Sequence, residues 1–211
     1  MESALCLKMN EKTKRAIKQL NALKKIDKKR LRLAAEWNED WKILISTILS
    51  SQTRDEKTIE ISKKLYKKYD SPKKLGNAPL KTIEKIIRPI NFYRTKSKNI
   101  KKSAKIISKK GIPFNLKDLL ELPGIGRKVA NVYLAVQGKN AIGVDTHVSR
   151  ISQKLGWTKN KNKYKIEQDL EKLFPKKYWR SINYILVNFG RLHWTRKKDE
   201  DAILKKIKQI K

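Results

Sequence analysis

Apolar residues recur along most of this chain at the three- and four-residue spacing of amphipathic helices, and no segment predicts a strand convincingly. Between residues 11 and 30, a dense basic face predicts a surface helix with an inner row of Ile17, Leu20, Leu23 and Ile26. Trp41 to Ser50 is the most apolar stretch. Its β-branched residues would allow a strand, but its length and helical neighbours favour a buried helix.

Turn and capping residues divide the remainder into further helices. Asp55, Asn115 and either Asp145 or Thr146 are placed to cap helices, and Pro89–Arg94 is predicted as a loop. Other helices are expected after the turn at 70–72, over 80–87, 96–109, 163–174 and 178–189, and as a short basic helix within 196–211. The sequence therefore predicts an all-α protein of about ten helices.

A glycine-rich break lies within the stretch from Leu119 to His147. Pro123–Gly126 ends one helical pattern and the next begins at once, so a tight turn between two helices is expected. With Gly124 and Gly126 in the turn, the backbone N–H groups at the start of the second helix lie uncovered. Such groups bind phosphate well.

Arg127 and Lys128 open the second helix of this stretch. Lys128 is the only lysine between positions 117 and 139 of a chain with 53 basic residues, so it is separate from the general lysine background. The apolar residues that follow have helical spacing and predict a stripe facing a core, made of Val129, Val132, Tyr133 and Val136.

The net charge narrows the class of partner. Against 53 Lys and Arg there are 20 Asp and Glu, which gives +33. A field of that size favours polyanions, with nucleic acid ahead of an anionic membrane. Lysine enrichment from a high-temperature source or a biased genome is the alternative, and the 11 arginines among the 53 fit it. Such bias alone usually raises Glu alongside Lys, which is not seen here, so we expect that compositional bias and binding of a polyanion both contribute to the charge.

Cysteine content and hydropathy exclude several other classes. Cys6 is the single cysteine, so the chain cannot build a disulfide framework, a zinc site or an iron–sulfur cluster from its own thiols. No apolar run approaches the ~20 residues that span a bilayer. The N-terminus lacks a signal-peptide pattern. We expect a soluble intracellular protein of the cytoplasm or nucleoid with no membrane partner.

Several ordered segments together resemble one known family. The glycine turn resembles the hairpin of the helix-hairpin-helix DNA-binding unit. With Lys128 and Val144–His147 it is similar to the endonuclease III branch of the helix-hairpin-helix DNA glycosylases. Three more segments match that family in order and spacing: Ile48–Asp55, Ile90–Lys96 and Gly190-Arg191. A hairpin alone would indicate only DNA binding, whereas this ordered set, spanning residues 35–195, is specific.

The resemblance implies a bifunctional DNA glycosylase/AP lyase of base excision repair with Lys128 as nucleophile. A lysine amine can attack C1′ of the nucleotide, displace the base and leave a Schiff base that permits β-elimination. The amine must be neutral, and a helix N-terminus, neighbouring cations and partial burial favour that form. Asp145 is implied as the carboxylate that stabilises the cationic sugar. The alternatives are a phosphate-binding Lys128 and an ordinary helix-capping Asp145.

The resemblance also implies how duplex DNA is held and opened. Gln52 would fill the hole left by the rotated nucleotide, and Phe92 would wedge the opposite strand where the family usually has Leu. Without the resemblance, Gln52 is a polar loop residue and Phe92 a core aromatic. The further implied DNA contacts are Gly124, Gly126, Arg127 and His147, with His147 alternatively structural. Backbone carbonyls of Leu120, Leu122 and Ile125 could hold a monovalent cation.

The C-terminal segment departs from the family pattern. Four cysteines that ligate a [4Fe–4S] cluster are expected after Gly190-Arg191, but Leu192-His193-Trp194 follows and no cysteine comes later. We therefore expect no cofactor and no iron–sulfur cluster. Trp194 and a helix carrying Ile203–Ile210 would pack in the cluster's place, and a basic tail would supply its charge.

The resemblance implies two helical lobes. A central barrel would cover 32–140, a second lobe would combine 1–31 with 141–211, and DNA would lie in a cleft with Lys128 and Asp145 at its floor. The expected partner of the monomer is double-stranded DNA with a damaged base, most simply an oxidised pyrimidine, or an abasic site. Mismatched thymine and oxidised purine are alternative substrates. A non-catalytic helix-hairpin-helix protein that binds and bends DNA also explains the charge and the hairpin.

Overall fold

The computed structural model describes residues 9–26, 31–193 and 197–210. Within these ranges the regular structure is entirely helical, which confirms the predicted all-α class. None of the described helices is long and apolar enough to cross a membrane. The twelve described helices are α1 Glu11–Ile26, α2 Asp40–Ser50, α3 Asp55–Lys68, α4 Pro72–Asn77, α5 Leu80–Ile87, α6 Tyr93–Lys110, α7 Leu116–Leu120, α8 Arg127–Val136, α9 Thr146–Leu155, α10 Lys163–Leu173, α11 Lys176–His193 and α12 Lys197–Lys208.

The chain divides into two compact units. Arg32–Lys139, with helices α2 to α8, is called the hairpin unit below. Met1–Leu31 and Asn140–Lys211 together make the terminal unit, whose described helices are α1 and α9 to α12.

Helix α2 is the central element of the hairpin unit. It packs against α3, α6 and α8, and Leu44, Ile45 and Leu49 are wholly shielded from solvent. Two of its polar residues, Ser46 and Thr47, are buried as well, and Ser46 is hydrogen-bonded to the Tyr66 hydroxyl at 2.6 Å. Burial on most sides explains why this segment lacks a clear amphipathic period and why strand and helix competed in its sequence pattern.

The terminal unit has its own core, to which α1 contributes Leu20 and Leu23. A buried hydrogen bond from Trp157 Nε1 to Gln19 Oε1, 2.7 Å long, joins α1 to the segment after α9. Because this bond satisfies the indole N–H and the amide oxygen, both polar groups can lie in an apolar interior.

Four local predictions were wrong. Ile26 and Val136 end their apolar rows but are 41% and 46% exposed, because each lies in the last turn of its helix, past the packed surface. Helix α6 begins at Tyr93, so Tyr93 and Arg94 are helical and not part of a loop. Asp55 is the first residue of α3 and not its cap, which is Arg54.

Helix α12, in the basic tail, packs against α9, α11 and α1. Leu204 and Ile207 form its apolar contact, and Glu200 is also buried, with 1% of its surface exposed. Its Oε1 forms ion pairs with Arg150 and with Lys154 of α9, the second at 2.9 Å. Two cations on one helix therefore hold the tail helix in place. Trp194, expected to pack nearby, lies outside the described residues.

We expect Glu200→Gln to lower the free energy of unfolding by about 2 to 3 kcal/mol, because it removes one member of a buried ion cluster and leaves two cations without it. The control is Asp199→Asn, which removes an exposed charge one residue earlier and should change the free energy by less than about 1 kcal/mol. Urea unfolding measures both. Equal losses would show that the cluster does not anchor α12.

Candidate catalytic and DNA-binding site

The glycine turn joins α7 to α8 in the hairpin unit. Leu122 N donates to Leu119 O and Ile125 N donates to Leu122 O, so the chain reverses within a few residues. Gly124 has φ +83°, a left-handed conformation that residues with a Cβ rarely adopt. The expected tight turn between two helices is therefore present. Of the three carbonyls implied as cation ligands, the one of Leu122 already accepts a hydrogen bond within the turn.

Helix α6 holds this turn from the side. Ser103 Oγ donates to Pro123 O at 2.8 Å. A Cβ at Gly124 would lie 2.8 Å from Cβ of Asn99, so Asn99 packs where a side chain would otherwise be. A Cβ at Gly126 would meet no atom within 4 Å. Packing within the fold therefore requires glycine at 124 but not at 126.

The start of α8 carries the two basic residues that follow the turn. Gly126 is the N-cap and has no side chain to cover the first N–H groups, and the first turn contains no acidic residue. Arg127 and Lys128 are both half-buried. The helix N-terminus adds a partial positive charge at this point. This end of α8 is thus suited to an anion such as a DNA phosphate.

A second lysine of the hairpin unit, Lys96, is buried with 7% exposure. Its Nζ donates to Leu49 O at 2.7 Å, to Ser51 O at 2.6 Å and to Thr53 Oγ1 at 3.4 Å. Burial, and secondly the charge of Lys128, lower the pKa of Lys96 from 10.5 to about 8. The sequence pattern predicted Lys96 as the start of a helix and as the last residue of the family-like segment Ile90–Lys96. Its burial was not predicted, because one more lysine carries no signal in so basic a chain.

Gln52 and Phe92 are exposed residues on two loops that lie side by side. Both adopt left-handed backbone conformations, with φ 56° and φ 58°, which costs a residue with a Cβ about 1 to 2 kcal/mol. Phe92 is 63% exposed, so the core alternative for this aromatic is wrong. Asn91 joins the loops, since its side-chain amide donates to Gln52 O and its backbone N donates to Thr53 Oγ1 at 3.3 Å.

Asp145 and His147 belong to the terminal unit. Asp145 is the N-cap of α9, and its Oδ1 accepts from Val148 N at 2.8 Å, so the expected cap is present. The imidazole of His147 lies against Gly190, where any Cβ would overlap it, and its Nδ1 is 3.3 Å from Arg150 Nη2. The pKa of His147 is lowered, chiefly by burial and also by the positive charges of Arg150 and Arg191. The negative charges of Asp145 and Glu200 act in the opposite direction.

The predicted site residues thus divide between the units. The hairpin unit contains most of them, and the terminal unit contains Asp145 and His147. Helix α6 contacts both segments of the hairpin unit that contain predicted site residues. Ser103 of α6 bonds to the glycine turn, and Lys96 bonds to the loop of Gln52. The hairpin unit contains Gln52, Phe92, Gly124, Gly126, Arg127 and Lys128.

The residues present do not fit the iron–sulfur cluster that the family pattern would imply. A [4Fe–4S] cluster needs four thiolates, and the sequence has one cysteine, Cys6, with none after Arg191. In the part of the chain that the structure describes, no group of three or more His, Cys, Asp or Glu side chains could hold a metal ion.

The sequence of this chain is similar to those of known DNA repair proteins. Residues 45–176 match the family model of the HhH-GPD superfamily of base excision DNA repair proteins. The chain is 42% identical to endonuclease III of Thermotoga maritima over 157 residues, which cover 72% of this chain and 74% of that protein. It is 35% identical to endonuclease III of Synechocystis over 194 residues, 90% of this chain and 88% of that one.

Solved structures give the same result. The chain matches a trapped endonuclease III–DNA covalent intermediate with a TM-score of 0.79 and 33% identity, over 88% of this chain and 89% of that one. A non-covalent endonuclease III–DNA complex matches with a TM-score of 0.80 and 32% identity, over 88% of each chain. A thermostable thymine-DNA glycosylase, 22% identical with a TM-score of 0.71 over 86% and 87% of the two chains, shares the fold.

We expect Gly124→Ala to lower the free energy of unfolding by about 2 kcal/mol, because alanine is strained at φ +83° and its Cβ would press on Asn99. The matched control is Gly126→Ala, with φ −92° and open space around the new methyl group, which should change it by less than about 1 kcal/mol. Urea unfolding of both variants measures the difference. Similar losses would contradict a turn held closely against α6.

Proposed function

This chain belongs to the endonuclease III family, within the HhH-GPD superfamily of base excision DNA repair proteins, and we propose which of its residues perform the reaction. The chain is a DNA glycosylase of base excision repair, its partner is DNA, and AP lyase activity is typical of its family.

Lys128 is the proposed nucleophile. Its amine attacks C1′ of the damaged nucleotide, the C1′–N bond breaks, and the base departs with its bonding electrons and takes up a proton. The sugar ring then opens to a Schiff base, loss of a C2′ proton expels the 3′ phosphate, and water releases the enzyme. The observation that carries this proposal is the half-buried position of Lys128 at the uncapped start of α8, directly after the glycine turn.

Asp145 is the proposed carboxylate partner of the reaction. Breaking a glycosidic bond develops positive charge on the sugar, which a nearby carboxylate stabilises. The hydrogen bond from Val148 N fixes one oxygen of Asp145 and leaves the carboxylate rigidly aimed. Capping α9 and stabilising the sugar are compatible roles for this side chain, because a carboxylate has two oxygens.

We propose that DNA is bound by the glycine turn and by the two loop residues Gln52 and Phe92. The open space beside Gly126 lets the backbone approach a phosphate, and Arg127 adds positive charge at the same helix start. Gln52 fills the hole left by the rotated nucleotide, and the exposed ring of Phe92 stacks in the opposite strand. His147 packs against Gly190 and has, as a second proposed role, a contact with a DNA phosphate.

An oxidised pyrimidine is the proposed damaged base, as the resemblance of the sequence to the endonuclease III family implies. The thymine-DNA glycosylase shares only the fold with this chain, so its similarity does not indicate which base this chain removes. We propose that the protein acts as a monomer in the nucleoid. A non-catalytic DNA-bending protein would share the charge and the hairpin, but it has no need of a lysine nucleophile with a carboxylate partner.

We also propose that the protein works without an iron–sulfur cluster, with α12 and its Glu200 ion cluster stabilising the end of the terminal unit in its place. Protein purified anaerobically is expected to contain no stoichiometric iron and to lack a visible charge-transfer band, because one cysteine cannot ligate the cluster. Iron analysis and an absorption spectrum test this. Iron that co-purifies in proportion to DNA-cleaving activity would contradict it.

Lys128→Gln is expected to reduce borohydride trapping on DNA containing an abasic site by at least about 100-fold, because the amide cannot form a Schiff base. The matched control is Lys139→Gln, which removes an exposed lysine after α8 and should trap as the unchanged protein does. Denaturing gels measure the covalent adduct. Unchanged protein that binds this DNA but neither traps nor nicks it would overturn the lyase proposal and favour the DNA-bending alternative.

A further inference from the structure

The buried amine of Lys96 is not used by the proposed reaction. Its three hydrogen bonds all go to neutral oxygens, two of them backbone carbonyls, so these oxygens solvate the charge. Burial of a charge is unfavourable unless such bonds compensate it. A lysine placed in this way has a structural task, and the location of its partners shows which one.

The partners of Lys96 surround Gln52. Ser51 and Thr53 flank Gln52 directly, and Leu49 lies one turn earlier, at the end of α2. Gln52 itself adopts the unfavourable left-handed conformation, so it needs external bonds to stay there. The three bonds of Lys96 supply them on both sides of the residue.

The same cluster reaches the second loop. Thr53 Oγ1 accepts hydrogen bonds both from Lys96 and from the backbone N of Asn91, and the Asn91 side chain donates to Gln52 O. Phe92 follows Asn91, and Lys96 lies one helical turn after Phe92 in the first turn of α6, where its backbone N bonds to Phe92 O at 3.0 Å. Lys96, Thr53 and Asn91 therefore connect the two loops at their bases.

We propose that Lys96 is a positioning residue that fixes the loops of Gln52 and Phe92 as one rigid wedge for opening duplex DNA. The inference rests on the proposed function, since it assigns Lys96 to strand opening while Lys128 performs the chemistry. Lys96 is buried, and its Nζ donates to two carbonyls and to the Thr53 hydroxyl, so it does not serve as a second nucleophile.

A wedge matters only where there is a base stack to open. Rotating a nucleotide out of a duplex costs a few kcal/mol, whereas an abasic site in single-stranded DNA is already accessible. Loss of the wedge should therefore slow the reaction on duplex DNA and spare it on single strands. Loss of folding or of Lys128 would reduce both.

The test compares Lys96→Met with Lys98→Met, which removes an exposed lysine from the same helix. Borohydride trapping rates are measured on duplex and single-stranded DNA carrying the same abasic site. Lys96→Met should lose about tenfold on the duplex and less than about threefold on the single strand. Lys98→Met should leave the ratio of the two rates as in the unchanged protein.

A spectroscopic readout separates positioning from a general loss of stability. With 2-aminopurine opposite the abasic site, the unchanged protein should raise the fluorescence on binding, because the wedge unstacks the base. Lys96→Met should bind without this increase. In a Phe92→Ala background, Lys96→Met should have little further effect on the duplex rate, because both changes remove the same wedge.

If Lys96→Met fails to fold, Asn91→Ala decides the question, since it removes the bond to Gln52 O from an exposed position. It should show the same duplex-specific loss, at about threefold. A duplex-to-single-strand ratio equal to that of the unchanged protein, in whichever of the two variants folds, overturns the positioning role. Failure of the unchanged protein to trap either DNA would instead overturn the proposed function.

Discussion

Lys96 donates hydrogen bonds to the carbonyls of Leu49 and Ser51 at the end of α2, and these bonds hold the loop of Gln52 in the hairpin unit. Lys96, Asn99 and Ser103 follow each other along α6 at intervals of three and four, so they share one face of that helix. Lys96 holds the Gln52 loop, whereas Asn99 and Ser103 hold the glycine turn that precedes Lys128. One face of α6 therefore contacts both the Gln52 loop and the turn that leads into α8.

The terminal unit positions its own site residues by a different set of contacts, all centred on α9. Asp145 caps that helix at its start, and Arg150 links His147 to the buried carboxylate of Glu200 on the tail helix. Gly190 leaves room for the imidazole of His147. The tail helix is joined to α9 by the ion pairs of Glu200 with Arg150 and Lys154.

Periodicity and capping chemistry predicted most of this fold, because helices that bury one face reveal it in their spacing, as α5 and α9 do. The hairpin was evident from glycine and proline alone. Burial of Glu200 and Lys96 was not predictable, since each charged residue is stabilised by partners remote in sequence and is lost among many similar charges. The left-handed backbone of Phe92 likewise depends on hydrogen bonds with another loop, and no residue pattern near position 92 predicts it.

We propose opposite tasks for two lysines of the hairpin unit: Lys128 forms the bond to DNA, while Lys96 remains buried. Peptide mapping by mass spectrometry of the borohydride-reduced adduct tests this assignment. The reduced deoxyribose remnant is expected on Lys128, in the peptide that begins the helix after the glycine turn. A remnant found on Lys96, or on any lysine outside that helix start, would contradict it.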